Sequence, residues 1–181
     1  MSTRAISVVV GRFQVDALTS GHIGLLREAK HHTEERLIIF VGNRPTPANA
    51  TNPLPFVTVE AMLREEVPDA VIIPIGDEKS SERWSKKLDQ MIGMIAGPLP
   101  VKLYTGRDGF NGQYTGRYEV LEVDLDDSAN ATLVRADIGA QIENSRTWRR
   151  GVIWAHQNRQ HQDYYAVDMA CLRLTLDKRV E

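Results

Sequence analysis

Cysteine occurs once in this chain, at Cys171. A single thiol cannot close an internal disulfide, so the fold must rest on its core, and cysteine usage gives no sign of secretion. Cys171 lies in the run AVDMACLRL, where a buried structural thiol is expected. Long hydrophobic runs are missing too. No stretch approaches the roughly 18 consecutive apolar residues of a membrane span. The apolar part of MSTRAISVVVG is too short for a signal peptide and reads as a strand. There is also no surplus of charge: 22 Lys and Arg stand against 24 Asp and Glu, a net of -2. Duplex binding usually demands a basic face, so neither nucleic acid nor a membrane is an expected partner. A few converging arginines still suffice for a small anion. The expected setting is the cytoplasm.

What is present is an apolar fraction of 42% in 181 residues, enough for one domain with a real core. Strands are predicted at Ala5 to Val10, Leu37 to Val41, Val71 to Ile75, Val101 to Tyr104 and Tyr118 to Val123. Helices are predicted at Gly21 to His32, Thr58 to Val67, Ser81 to Ala96 and Ser145 to about Asn158. Runs such as SVVV, LIIFV and VIIPI are apolar without alternation, the habit of parallel strands covered on both faces. The expectation is an α/β fold: a Rossmann-like, doubly wound parallel sheet of about five strands with flanking helices. Ligands bind such sheets at the carboxyl ends of the strands. The expected division is a main domain over 1–160 and a tail over 161–181 that supplies a short strand or appendage.

Two places could bind phosphate. In SVVVGRFQVDALTSGHIGLLREA a strand ends at Gly11, a loop follows, and a helix opens near Gly21 and His22. A helix N-terminus offers unpaired N–H groups and the positive end of a dipole. Gly21 permits close approach of a ligand. His22 can donate to a phosphoryl oxygen, Thr19 and Ser20 bring hydroxyls, and Arg12 brings a planar cation. The plainer reading is that Thr19 or Ser20 caps the helix and His22 lies on the surface. The second place is ENSRTWRRGVIWAHQN, where Asn144 or Ser145 suits an N-cap and Thr147 falls in the first turn. Arg150 follows Ser145 by about one and a half turns and could reach the same anion. Its plainer reading is a solvated basic face.

Together, Thr19-Ser20-Gly21-His22 and Ser145-Arg146-Thr147-Trp148-Arg149-Arg150 resemble the paired H/T-x-G-H and S-x-T-x-x-R motifs of the nucleotidyltransferase superfamily. The opening Gly11-Arg12-Phe13-Gln14 is similar to the archaeal-type NMN adenylyltransferases, whose domain also begins the bifunctional NMN adenylyltransferase–Nudix proteins. Asn52-Pro53 with Phe56, Thr58 and Glu60 resembles that family's N-P-F-T-x-E signature. Trp84 resembles a tryptophan that stacks on the nicotinamide ring, although a core position on a helix is the other reading. Leu103 to Gly106 and Gly116 to Val120 resemble segments around the adenosine pocket. The chain departs from the family in places. The loop GRFQVDALTSGH is two residues longer than the usual GRFQPFHxGH and lacks its Pro-Phe. Thr19 replaces the first histidine. Leu54 and Pro55 interrupt the N-P-F signature, and Ala61 stands where arginine is frequent.

The resemblance implies transfer of AMP from ATP to nicotinamide mononucleotide, giving NAD and pyrophosphate. Its implied catalytic set is His22, Thr19 and Arg150. The implied ATP and phosphate contacts are Gly11, Arg12, Phe13, Gly21, Gly106, Asp108, Ser145 and Thr147. Asn52 and Trp84 are assigned to NMN. Mg²⁺ would arrive with ATP, with no dedicated protein metal site. The alternatives are another adenylyl- or cytidylyltransferase acting on a different phosphorylated acceptor, and an inactive nucleotide-binding sensor. The tail QDYYAVDMACLRLTLDKRVE resembles the first strand of a Nudix domain, but no Nudix box is present, so Nudix hydrolysis is not expected. A strand edge there would seek a partner, in packing or in a homo-oligomer.

Overall fold

The computed structural model describes residues 5–33, 36–44, 52, 54–106, 109–110 and 112–125. The helix expected from Ser145 and the tail lie outside them. Within them the order is β1 (Ile6–Gly11), α1 (Ser20–His31), β2 (Ile38–Asn43), α2 (Phe56–Glu66), β3 (Val71–Gly76), α3 (Ser81–Ala96), β4 (Val101–Thr105) and β5 (Glu119–Glu122). The strands form one sheet in the order β3-β2-β1-β4-β5. Every neighbouring pair is parallel. The chain thus starts in the middle of the sheet, builds outward through β2 and β3, then crosses to β4 on the other side of β1. The switch point lies between β1 and β4.

The unbroken apolar runs follow from burial on both sheet faces. On β2, Ile39 and Val41 face one core with Leu25, Leu26 and Ala29 of α1 and Val59 and Leu63 of α2. Ile38 and Phe40 face the other, with Leu88, Ile92 and Ala96 of α3. Side chains still alternate with the period of two, but both directions lead into a core. Each fully buried aliphatic or aromatic side chain contributes about 1.5–3 kcal/mol.

The helices start and stop for local reasons. Thr19 caps α1 and Ser80 caps α3, each accepting from the backbone N–H three residues on. At Gly97 the backbone turns to φ 58°, a left-handed conformation that glycine adopts freely, and α3 ends there. α2 begins at Phe56, two residues before the expected Thr58, behind Pro55 and without a side-chain cap. Phe56 and Leu54 pack against the α1–α2 core, and that contact draws the first turn in. No helix among the described residues is long and apolar enough to cross a membrane.

Phe40 is wholly buried on the interior strand β2, whereas Met94 on α3 is 79% exposed. Phe40→Ala should lower stability by about 3–5 kcal/mol, and Met94→Ala by no more than about 0.5 kcal/mol. Urea unfolding of both variants checks this. Equal, small losses would contradict the two-faced core.

Candidate functional site

The site is built where β1 ends. After Gly11 the chain reverses at Phe13, whose φ of 48° is a left-handed conformation that side chains rarely adopt. Strain of this kind costs about 1–3 kcal/mol. It is offset by burial of the Phe13 ring, 4% exposed, in the α1–α2 core. Gly11 is required beside it, since a Cβ there would meet the Phe13 ring at 2.9 Å. The reversal sends the two flanking side chains to different anchors.

Arg12 crosses the end of β2 over Gly42, where a Cβ would come within 3.0 Å of the arginine stem. Its guanidinium then donates to Asn52 Oδ1 at 2.9 Å and to Asp77 Oδ1 at 2.6 Å. Arg44 donates to the second oxygen of Asp77 at 2.5 Å. The first charged residues after β1, β2 and β3 therefore meet in one corner: two guanidiniums on one carboxylate. Burial on its own would raise the pKa of Asp77. Hydrogen bonds and charge from Arg44 and Arg12 outweigh that and hold it below the ordinary carboxylate value.

Gln14 is 3% exposed. Its Oε1 accepts from the Leu54 N–H at 2.7 Å, and its Nε2 donates to the Leu54 carbonyl at 3.1 Å. This two-point hold pins the segment before α2 to the β1–α1 loop and brings Asn52 to Arg12.

At the start of α1, Thr19 and His22 form a reciprocal capping box. The His22 N–H donates to Thr19 Oγ1 at 3.4 Å, and the Thr19 N–H donates to His22 Nδ1 at 3.2 Å. Thr19 Oγ1 also lies 2.9 Å from Nδ1. A backbone donor on Nδ1 makes that nitrogen the acceptor, so in the neutral ring Nε2 carries the proton. The Phe13 ring backs the imidazole, with centroids 5.4 Å apart. Gly21 is buried, and the first turn of α1 holds no acidic residue. The positive helix end is thus left uncompensated from within its own turn.

Across the switch point, Val9 pairs with Tyr104. Gly11 and Gly106 each lie two residues further along, at the neighbouring ends of β1 and β4. Trp84 stands in the first turn of α3, half-buried against the α3-side core. Its ring meets Phe110 at 5.8 Å and 60°. The structure therefore brings Gly11, Arg12, Phe13, Thr19, Gly21, His22, Asn52 and Gly106 to the carboxyl edge of the sheet, with Trp84 on the helix that leaves it. Asp108, Ser145, Thr147 and Arg150 lie outside the described residues. Sequence reasoning missed Asp77, Arg44 and the anchoring role of Gln14. The signal available for the two charged residues was position: each directly follows the last residue of its strand.

Because the Asp77 carboxyl titrates lower folded than unfolded, its stabilising contribution is present above its ordinary value of 3.8 and lost as pH falls through the folded value. Asp77→Asn should cost roughly 1 kcal/mol at pH 7, given the partial exposure of both arginines. The difference from wild type should shrink below about pH 4. Urea unfolding at the two pH values measures it; a difference that grows in acid contradicts the pairing.

Comparison with known proteins agrees with this geometry. A family model described as cytidylyltransferase-like matches residues 8–107. No curated protein sequence matches the chain. Among solved structures it is similar to a bifunctional NMN adenylyltransferase/ADP ribose pyrophosphatase from Francisella tularensis in complex with AMP and a manganese ion. There the TM-score is 0.64 at 21% identity, over 79% of this chain and 43% of that one. A second structure described as the same bifunctional enzyme from that organism gives 0.65 at 21% identity, over 76% of this chain and again 43% of the other. The chain thus spans less than half of these structures, and the likeness at this identity is one of fold. The family match runs through the strand, the T-S-G-H turn and the helix that carry the site and covers more than half of the 181 residues, so this chain belongs to the cytidylyltransferase-like family of nucleotidyltransferases.

Proposed function

We propose that the protein transfers the adenylyl group of ATP to nicotinamide mononucleotide, releasing pyrophosphate and forming NAD. The observation that carries this reading is the Thr19–His22 box, which holds the imidazole at the N-terminus of α1 beside the β1–β4 switch point with Nδ1 accepting from the Thr19 N–H. A phosphoryl group seated there meets a helix dipole, backbone N–H groups and one oriented donor. The similarity to structures described as NMN adenylyltransferases, one with AMP, supports the choice of nucleotide and acceptor.

In this mechanism an oxygen of the NMN 5′-phosphate attacks the α-phosphorus of ATP in line. The bond from that phosphorus to the β-bridging oxygen breaks, and pyrophosphate leaves with the bond's electron pair. The protein positions the reactants and stabilises charge. His22 Nε2–H donates to a non-bridging α-phosphate oxygen as its charge grows. Thr19 acts through His22, because its hydroxyl is committed to the cap and to Nδ1. Arg12 contributes charge to the phosphates from a guanidinium held by Asn52 and Asp77. Arg150, with Ser145 and Thr147, grips the β- and γ-phosphates, and Asp108 with Gly106 borders the adenosine. Mg²⁺ would arrive with the substrate as MgATP and would supply neutralising charge to the phosphates. Among the described residues no three His, Cys, Asp or Glu side chains converge on a cation. Trp84 offers its face to the pyridinium ring, an attraction strengthened by the ring's positive charge.

A second reading, cytidylyl transfer from CTP to an alcohol phosphate, is favoured by one observation, the description of the matching family. Pyrophosphate release with ATP or CTP against a panel of phosphorylated acceptors separates the two.

His22→Ala should lower kcat by about 10² to 10³ while changing ATP affinity little. Steady-state pyrophosphate release together with ATP titration tests this, and wild-type turnover in the variant removes His22 from the mechanism. Trp84→Ala should raise KM for NMN well beyond any change in KM for ATP, with part of the loss recovered in Trp84→Phe. Equal effects on both substrates would return Trp84 to the core alone.

A further inference from the structure

Thirteen residues join β4 to β5, and the described ones form neither helix nor strand. Irregular connections of this length in compact domains are commonly functional. This one is fastened to a single stripe of α3. Ser85, Asp89 and Gly93 recur every four residues on that helix, next to the row Leu88, Ile92 and Ala96 that enters the core. Buried Ser85 accepts from the Thr115 N–H at 2.9 Å. One oxygen of Asp89 accepts the Tyr114 hydroxyl proton in a short bond, and the other accepts the Arg117 N–H at 3.0 Å. Tyr114 Oη accepts in turn from the Tyr118 N–H at 3.1 Å. Gly93 leaves room for Arg117, whose Nη2 would stand 2.8 Å from a Cβ there.

These bonds hold aromatic rings as well as backbone. Phe110 packs edge-on to Tyr114, with centroids 5.9 Å apart at 85°, and also meets Trp84. Trp84 rises from the first turn of the same helix, one residue before Ser85. The indole is therefore braced through Phe110 by a ring whose own place is set by Asp89. Apolar packing alone would hold the connection in the core; a carboxylate that receives two donors from it specifies its register and angle.

We infer that Asp89 and Tyr114 form a positioning latch for the acceptor side of the site, setting through Phe110 the angle at which Trp84 meets the acceptor's aromatic ring. The latch rests on the reading of Trp84 as the acceptor platform. In this assignment Asp89 and Tyr114 are positioning residues that act through Phe110. Burial and the bond to Asp89 push the Tyr114 hydroxyl well above its ordinary pKa, so it remains a donor at any working pH.

The test uses the full chain with Tyr114→Phe, Asp89→Asn and Trp84→Ala, each assayed for pyrophosphate release at varied NMN and at varied ATP. Tyr114→Phe and Asp89→Asn should each raise KM for NMN roughly fivefold to tenfold, the equivalent of one lost hydrogen bond. KM for ATP should rise less than KM for NMN, because Arg117 and Tyr118 also lie in the segment likened to the adenosine pocket. An equal rise for both substrates, or no rise for NMN, overturns the latch. Amide hydrogen exchange gives an independent readout: Tyr118 should exchange faster in Tyr114→Phe while Val8 and Val9 of β1 keep their protection, and an unchanged Tyr118 overturns the latch. If Trp84→Ala leaves KM for NMN untouched, the acceptor platform itself fails. If Trp84→Ala raises it and Tyr114→Phe does not, the platform stands and only the latch falls.

Discussion

The left-handed turn at Phe13 is the constraint on which the site depends. A glycine would make that turn without strain, yet it would leave a hole in the α1–α2 core and no surface behind the His22 imidazole. With phenylalanine, the core holds the turn, and the turn places Arg12, Gln14 and the surface behind His22. Arg12 and Gln14 flank one residue of unusual backbone, so their side chains reach Asp77 and Leu54, respectively 65 and 40 residues away in sequence. A slip in this reversal would misplace both at once. Functional groups fixed by packed neighbours need not reorganise when charge develops, and this is where electrostatic stabilisation gains most.

The corner at Asp77 shows how two neighbouring guanidiniums are held together. Two guanidiniums near each other repel, and partial burial strengthens the repulsion. Asp77 takes one from each side, and Asn52 occupies another Arg12 nitrogen with a neutral acceptor. The corner keeps a net positive charge of one, enough to favour an anion at the ends of β1 to β3. Arg12 is held by its Nη1 and Nη2 in a defined orientation, so little side-chain entropy remains to be lost on binding.

The fold was readable because its causes are local and repeated. Runs such as LIIFV carry burial on both faces, and turn-forming residues bound them, so predicted and observed strands agree to within about two residues, the usual uncertainty of element ends. The motif residues were readable because a strand end, a short loop and a helix start sit together in sequence. Asp77 was not readable, since its meaning comes from Arg12 and Arg44, which reach it only when β1, β2 and β3 lie side by side. Gln14 was hidden for the same reason: its partners are the backbone groups of Leu54, which no sequence pattern marks. Trp84 is both half-core and half-exposed, so the choice between core and platform had no single answer in the pattern.

The identity of the third residue of α1 separates folding from chemistry. A capping box needs an acceptor at that position for the N-cap N–H, and glutamate or glutamine commonly supplies it. His22 supplies it through Nδ1 at 3.2 Å. For the helix alone, histidine brings no advantage over glutamate, which is a better helix former and also favours the dipole. Glutamate, however, would spend its charge at the helix end and repel a phosphate. Histidine closes the same box through Nδ1 and carries a second ring nitrogen that the box does not use. The first turn of α1 is free of acid, whereas the first turn of α3 contains Glu82. α2 opens at the same edge and also has no acid in its first turn, but no side chain caps it. Among the described helices α1 joins an acid-free first turn to a histidine that closes the cap. The histidine in that cap, rather than the lack of acid, is what stability alone does not explain, and it follows directly if α1 receives an anion.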